Sequence, residues 1–296
     1  MTAKIIDGKK AAAELKLEIA KDVEEIKRKY KIIPTLAVIL VGNDSASEVY
    51  VSNKEKAAHL VGMNSIQYKL ASNTSESDLI AKIKELNEDK KVHGILVQLP
   101  LPKHIDTKKV IWTIDYNKDV DGFNVINVGK LSVGDIEGDD GAIIPCTPLG
   151  CIHLLKSVVG SNLSGLKTLV IGASNIVGRP LARLLMLENC TVSIANSSTK
   201  DLKAECLQAD IIISATGVAG LIKKDMVKKD AIVIDVGINR INLDGGKSKL
   251  VGDVDFESVK EIAGAITPVP GGVGQMTIAY LLKNTLNVCL RSIKNC

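Results

Sequence analysis

The stretch TLVIGASNIVGRPLARLL (168–185) reads as a buried strand, a glycine-bearing turn and an amphipathic helix, an order that aims helix N-terminal amides at a pyrophosphate. Its glycines are Gly172 and Gly178. The spacing, G-x-S-x-x-x-G, is one residue longer than the dinucleotide fingerprint and carries Ser174 where the second glycine would stand. A helix start whose Gly172 makes a tight turn, capped by Ser174 or Asn175, would read the same way. Context favours the functional reading. The strands TVSIAN (191–196), DIIISAT (210–216) and AIVIDVG (231–237) follow with helices between them, and DVGIN (235–239) lies at the carboxyl end of the last, where such sheets bind ligands.

Upstream, the same alternation is already present. LAVILV (36–41), SIQYKL (65–70) and GILVQL (94–99) read as strands, separated by helices near 45–61 and 76–88. Their near-continuous apolar character suits strands buried on both faces. The turn-rich segment VGDIEGDDGAIIPCTP (133–148) separates the halves. The fold class is therefore α/β: two α/β domains around a cleft, 1–146 and 147–275, the second Rossmann-like. The final segment places Ile278, Leu281, Leu282, Leu286 and Cys289 at helical spacing, so a helix over 276–296 must pack on the first domain or cover the cleft.

Composition excludes several classes. Among 296 residues, 38 Lys and Arg face 34 Asp and Glu, and aromatics are 3%, so neither a basic groove nor a stacking platform for nucleic acid is evident. Lysines interrupt the N-terminus where a signal peptide needs an apolar core, which points to a cytoplasmic protein. A charge-free run at 262–282 is long enough to span a membrane, but Pro268, Pro270, Gly271, Gly272 and Gly274 break it into a loop and a helix, and no membrane association is expected. The six cysteines (Cys146, Cys151, Cys190, Cys206, Cys289, Cys296) form no C-x-x-C pair and no ligand spacing with the four histidines. Buried or idle thiols and no metal are expected.

Four further features carry chemistry. Tyr50 and Lys54 are four apart and share one helix face, and a desolvated lysine brings its proton into play near neutral pH. Gln98 ends a buried strand before Pro100 and Pro102, where an amide either orients a substrate or satisfies its own turn. KDVDGFN (118–124) sets Asp119 and Asp121 before Gly122, a tight turn or a metal loop, though without the alternating oxygen ligands of a calcium site. TPVPGGVGQMT (267–277) is a backbone able to approach a flat ligand, or a rigid hinge. For the cofactor, the second Rossmann strand ends Asn196-Ser197-Ser198-Thr199. With no carboxylate before Asp201, a 2′-phosphate is not repelled; with no arginine at Ala173 or Ser198, Arg179 and Lys200 are the nearby cations.

Taken together and in order, VGNDSASEVYVSNKEKA, GILVQLPLP, KDVDGF, PCTPLG, GASNIVGRP, DVGIN, GDVDF and TPVPGGVG resemble the methylenetetrahydrofolate dehydrogenase/cyclohydrolase family over nearly the whole chain. The resemblance implies two α/β domains flanking a cleft, a last helix rejoining the N-terminal domain, a homodimer, and no metal. It implies one-carbon chemistry of the kind that feeds purine biosynthesis: NADP-dependent oxidation of 5,10-methylenetetrahydrofolate, then hydrolysis of the methenyl cation to 10-formyltetrahydrofolate. NAD is the alternative cofactor. By the same resemblance Lys54 is the cyclohydrolase acid/base, Gln98 holds it in register, Tyr50 stacks on the folate and Asp121 hydrogen-bonds the pterin. Leu99, Pro270 and Gly271 join the folate side, and Gly172, Ala173, Ser174, Gly178, Ser197 and Ile238 fall at cofactor positions. Ala173 stands where several relatives carry arginine, and Gln275 where a proline is usual. Two rivals remain in view: a shikimate-type two-domain dehydrogenase, which does not explain Tyr50, Gln98 and Asp121 together, and a non-catalytic folate or dinucleotide module, which would not need Lys54.

Overall fold

TLAVILV at 35–41 is buried along its whole length, as a β-branched and leucine-rich run becomes when a parallel sheet is covered on both faces. This computed structural model describes residues 2–242 and 248–294; Cys296 and the end of the expected 276–296 helix lie outside the described residues. In chain order the elements of the first half are β1 (Lys4–Ile5), α1 (Gly8–Tyr30), β2 (Thr35–Val41), α2 (Ser45–Leu60), β3 (Asn64–Leu70), α3 (Glu76–Glu88), β4 (Gly94–Val97), α4 (Thr107–Thr113) and α5 (Val125–Val133). The second half continues with α6 (Cys146–Val159), β5 (Lys167–Ile171), α7 (Gly178–Leu187), β6 (Thr191–Ala195), α8 (Leu202–Gln208), β7 (Ile211–Ser214), β8 (Ile232–Asp235), β9 (Asn239–Asn242), β10 (Ser248–Val251), α9 (Phe256–Val259), β11 (Ala265–Ile266) and α10 (Val273–Lys294).

Contacts divide the chain into two units. One comprises Ala13–Cys146 with Ile278–Cys296. Its sheet, order β3-β2-β4, is parallel throughout. The two-residue period of β2 sends Ala37, Ile39 and Val41 to one side against Leu79, Ile83 and Leu86 of α3, and Leu36, Val38 and Leu40 to the other against Val51 of α2 and Leu281 and Val288 of α10. Each such aliphatic side chain contributes about 1.5–3 kcal/mol by leaving water. SIQYKL departs from the expectation of a strand buried on both faces: among the described residues β3 pairs only with β2, and its edge position leaves its side chains partly exposed.

The other unit comprises Met1–Ala12 with Thr147–Thr277. The division thus differs from the expected 1–146 bounds at the first twelve residues. β1 pairs in parallel with β11, and this hydrogen bonding draws the first dozen residues into the second unit. The six-stranded sheet runs β1-β11-β8-β7-β5-β6, every pairing parallel. β6 lies on one side of β5 and β7 on the other, so the winding reverses at β5, the position where doubly wound sheets open a crevice beyond their carboxyl ends. The expected strands are present but shorter, because DIIISAT and AIVIDVG spend their last residues on turns beyond the sheet. The 262–282 run is, as its prolines and glycines require, a short strand, a loop and the start of α10. Among the described residues no helix is long and apolar enough to cross a membrane.

Candidate active site

Lys54 owes its place to α2. Asp44 caps this helix by accepting a hydrogen bond from the Ser47 amide at 2.8 Å, and Val51 packs on β2 with Ala58 buried two turns on; Lys54, three residues after Val51 and four before Ala58, flanks that buried face, and Tyr50 lies one turn before Lys54 and further round towards solvent. At the carboxyl end of β4, the Gln98 amide donates to the Ile39 carbonyl at 2.8 Å, extending the ladder one residue. The cis peptide Leu99–Pro100 follows, and the Gln98 side-chain amide donates to the Leu99 carbonyl at 2.8 Å. With its nitrogen committed, Gln98 presents Oε1, and Lys54 Nζ donates to it at 2.9 Å.

Charge completes this group. Burial pulls the Lys54 ammonium below its ordinary value, against the fields of Asp121 and Cys146. Burial pushes the Asp121 carboxyl up, against the Lys54 charge. The Cys146 thiol is held well above its usual range, first by burial and then by Asp121, so it stays protonated. Sγ donates to the Val120 carbonyl at 3.3 Å. Cys146 is buried, as expected, and its thiol feels the charges of Asp121 and Lys54, a proximity that its spacing in the sequence could not show. Tyr50 is 38% exposed one turn before Lys54. Among the described residues no cluster of His, Cys, Asp or Glu has the geometry to hold a metal ion.

The other unit carries the glycine turn. Gly172 has φ +110°, and a Cβ there would stand 2.3 Å from the Ala215 carbonyl oxygen. At Gly178 a Cβ would lie 1.8 Å from the Gly172 oxygen, so α7 starts pressed onto the turn. Ser174 Oγ accepts from the amides of Val177 at 3.2 Å and Gly178 at 3.4 Å. Ser174 thus closes the turn ahead of α7 and is not the helix cap: the N-cap position is Val177, which makes no side-chain capping bond. The turn leaves the carboxyl end of β5 at the point of reversal, and Ala173 sits between its fixed ends. Ser197 is exposed just beyond β6, in a loop closed by the Asn196 amide on Thr199 Oγ1 at 2.9 Å. Ile238, 46% exposed beyond β8, approaches Gly274: a Cβ there would lie 3.5 Å from Ile238 Cδ1. Pro270 follows a cis peptide, and the Gly271 carbonyl, at φ +114°, accepts from the Lys9 amide at 3.2 Å.

Two acids outside the expected set hold these loops. Asp253, fully buried, accepts from the Thr216 amide at 2.6 Å, Thr216 Oγ1 at 3.0 Å, the Gly217 amide at 3.2 Å, Ser214 Oγ at 3.2 Å and Asn239 Nδ2 at 2.9 Å. Asp235 accepts from the amides of Gly237, Asp253 and Val254 at 2.9–3.0 Å, and burial raises it to about 6. DVGIN and GDVDF thus mark positions where a carboxylate organises backbone. A strand, a glycine-closed turn, an N-terminal helix edge and a winding reversal together fit a dinucleotide.

Comparison with known proteins agrees with both halves. The tetrahydrofolate dehydrogenase/cyclohydrolase catalytic-domain model matches residues 6–121, and the NAD(P)-binding-domain model of the same family matches 145–293. The bifunctional protein FolD of Paramagnetospirillum magneticum is 56% identical over 289 residues, 98% of this chain and 96% of that one. The Campylobacter jejuni bifunctional FolD structure, a methylenetetrahydrofolate dehydrogenase/cyclohydrolase, superposes with a TM-score of 0.92 at 47% identity, covering 99% of this chain and 100% of that one. The Trypanosoma brucei FolD structure, complexed with NADP cofactor and inhibitor, gives 0.94 at 36% identity, covering 99% of each. A shikimate dehydrogenase from Aquifex aeolicus reaches only 0.52 at 17% identity, a likeness of fold alone. Two domain models in the right order and a full-length relative more than half identical establish that this chain belongs to the tetrahydrofolate dehydrogenase/cyclohydrolase family.

Proposed function

We propose that this protein is a bifunctional folate enzyme that oxidises 5,10-methylenetetrahydrofolate with NADP⁺ and hydrolyses the resulting methenyl cation to 10-formyltetrahydrofolate. The observation that carries the reading is the 2.9 Å bond from Lys54 Nζ to Gln98 Oε1, in a setting where burial favours the neutral amine and Asp121 offsets it.

Oxidation asks little of side-chain acids and much of placement. NADP⁺, when bound, supplies the hydride acceptor. Gly172, Ala173, Ser174 and Gly178 would hold its pyrophosphate against the start of α7, Ser197 the adenosine ribose, and Ile238 a face of the nicotinamide ring. Hydrolysis does need proton transfer. Lys54 as the amine takes one proton from water as the oxygen bonds to the methenyl carbon, then returns it to N5 as the carbon–N5 bond opens, while the remaining hydroxyl proton passes to solvent and the formyl C=O forms. Gln98 Oε1 fixes one Nζ proton and so aims the lone pair. Asp121 accepts from the pterin, Tyr50 stacks on it, and Leu99 completes the folate side of this unit. A homodimer acting in the cytoplasm, feeding purine biosynthesis, completes the reading.

The test is a spectrophotometric assay of purified protein with 5,10-methylenetetrahydrofolate, comparing NADP⁺ with NAD⁺ and following reduced cofactor and methenyl-folate separately. Reduced cofactor without methenyl accumulation, faster with NADP⁺, is expected. Absence of turnover with either cofactor would overturn the dehydrogenase reading, and accumulation of methenyl-folate the cyclohydrolase reading.

A further inference from the structure

The Asp121-bearing loop is fastened at nearly every residue except Asp121. Lys118 Nζ donates to the carbonyls of Leu86, Asn87 and Asp89 at 3.1, 2.7 and 2.9 Å, capping the C-terminus of α3 with its charge. The Val120 carbonyl accepts from Asn284 Nδ2 of α10 at 2.9 Å. Gly122, at φ +71°, lies so close to the next segment that a Cβ would stand 2.5 Å from the Ile143 oxygen. Between these anchors sits Asp119, 1% exposed. Its Oδ2 accepts from the Asn124 amide at 2.7 Å, at the N-cap of α5, and from Asn127 Nδ2 at 3.2 Å. Asn127 also accepts from the Ile143 amide at 3.1 Å, in the segment leading to Cys146. Among the described residues no cation pairs with Asp119: the partners of its carboxyl oxygen are amides, and the titratable groups that interact with its charge are Asp121 and Cys146. A buried carboxylate without a counter-charge is costly, and such a group is kept where its hydrogen bonds serve something other than stability.

We propose that Asp119 is the positioning residue of this site: its carboxyl oxygen locks the loop to α5 and, through Asn127, to the segment leading to Cys146, and thereby sets Asp121 against Lys54. The inference rests on the folate reading of that site. Asp119 touches neither substrate nor cofactor in this account; it acts through the backbone two residues away.

The experiment measures steady-state kinetics of Asp119→Ala and Asp119→Asn beside the parent chain, with the folate and NADP⁺ each varied in turn. Displacing Asp121 by a fraction of an ångström raises the folate KM roughly tenfold in Asp119→Ala, and the NADP⁺ KM stays at the parent value. Asp119→Asn, whose amide oxygen still accepts from Asn124 and Asn127, restores folate KM to within about twofold, since hydrogen bonds to a neutral acceptor of the same shape survive. Should the alanine chain not fold, Asp119→Ser, with a shorter acceptor arm, takes its place under the same expectation. A parent-like folate KM in Asp119→Ala or Asp119→Ser overturns the proposal, as does a loss of folate affinity in Asp119→Asn as large as theirs. Absent turnover in the parent chain would count against the folate reading itself, which keeps the two failures apart.

Discussion

The two candidate sites are built from different materials. Around Lys54 the working parts are side chains taken out of water: an ammonium drawn down by burial, a carboxyl pushed up, and an amide oxygen aimed at 2.9 Å. Around Gly172 they are backbone, with two glycines whose missing Cβ atoms let a turn and a helix start meet. The difference follows from the chemistry each serves. Proton transfer depends on the electrostatics of one group, whereas holding a pyrophosphate depends on amides that every residue has and on a path that few residues can follow. The Lys54 site should therefore be sensitive to side-chain identity, and the glycine turn to the mere presence of a side chain.

The largest expected effect falls on the first site. Lys54→Met, of similar length but without the amine, should lower hydrolysis of preformed methenyl-folate by about 10²–10⁴-fold, the range of a lost general acid/base, while NADP⁺-dependent oxidation stays detectable. Followed by loss of the methenyl absorbance, an unchanged rate would remove Lys54 from the mechanism. Next comes Gly178→Ala. Its added methyl cannot coexist with the Gly172 oxygen at 1.8 Å, so the turn must shift, and oxidation should fall by about a hundredfold while methenyl hydrolysis is retained. Equal loss of both activities would break the separation between the sites.

Acid and salt sharpen the contrast more gently. Burial raises Asp119 from 3.8 to about 7, so the folded chain holds a proton that the unfolded chain has released. The resulting stability is complete below 3.8 and is lost as pH rises through about 7. Asp119→Asn cannot ionise, so its Tm should gain on the parent's across that interval and run parallel outside it; a constant offset would mean that Asp119 does not titrate there. The smallest effect is expected at Ala173→Arg. A cation beside the glycine turn should improve the NADP⁺ over NAD⁺ preference about two- to fivefold, in keeping with an exposed ion pair, and 0.5 M salt should erase the gain.

How legible these features were depends on the range of the interactions. TLAVILV and KTLVI announce themselves because burial on both faces demands apolar side chains, and the α2 and α3 helices lie almost where their spacing puts them. The two-residue strands β1 and β11 carry no pattern, since what makes them strands is pairing across more than 250 residues. SIQYKL shows only that it is a strand; its edge position depends on which neighbours pair. At the site, Lys54, Gln98 and Asp121 could be named from their motifs, but the bond between Lys54 and Gln98 bridges 44 residues and required coordinates. Lys118, Asp119, Asn127 and Asn284 hold the loop through partners up to 164 residues distant, beyond any local signal. For Asp119 alone a hint existed, the first acid of KDVDGF, which reads equally well as a solvated turn.

The account's central claim is that one chain performs two consecutive reactions with separable parts, and mixing tests it most directly. Lys54→Met and Gly178→Ala chains, each impaired in one of the two steps, are combined in equal amounts with 5,10-methylenetetrahydrofolate and NADP⁺, and 10-formyltetrahydrofolate is measured by chromatography at intervals. The account predicts that Lys54→Met releases methenyl-folate which Gly178→Ala then hydrolyses, so the mixture makes far more product than the two chains do apart. A yield no greater than the sum of the separate reactions would contradict it.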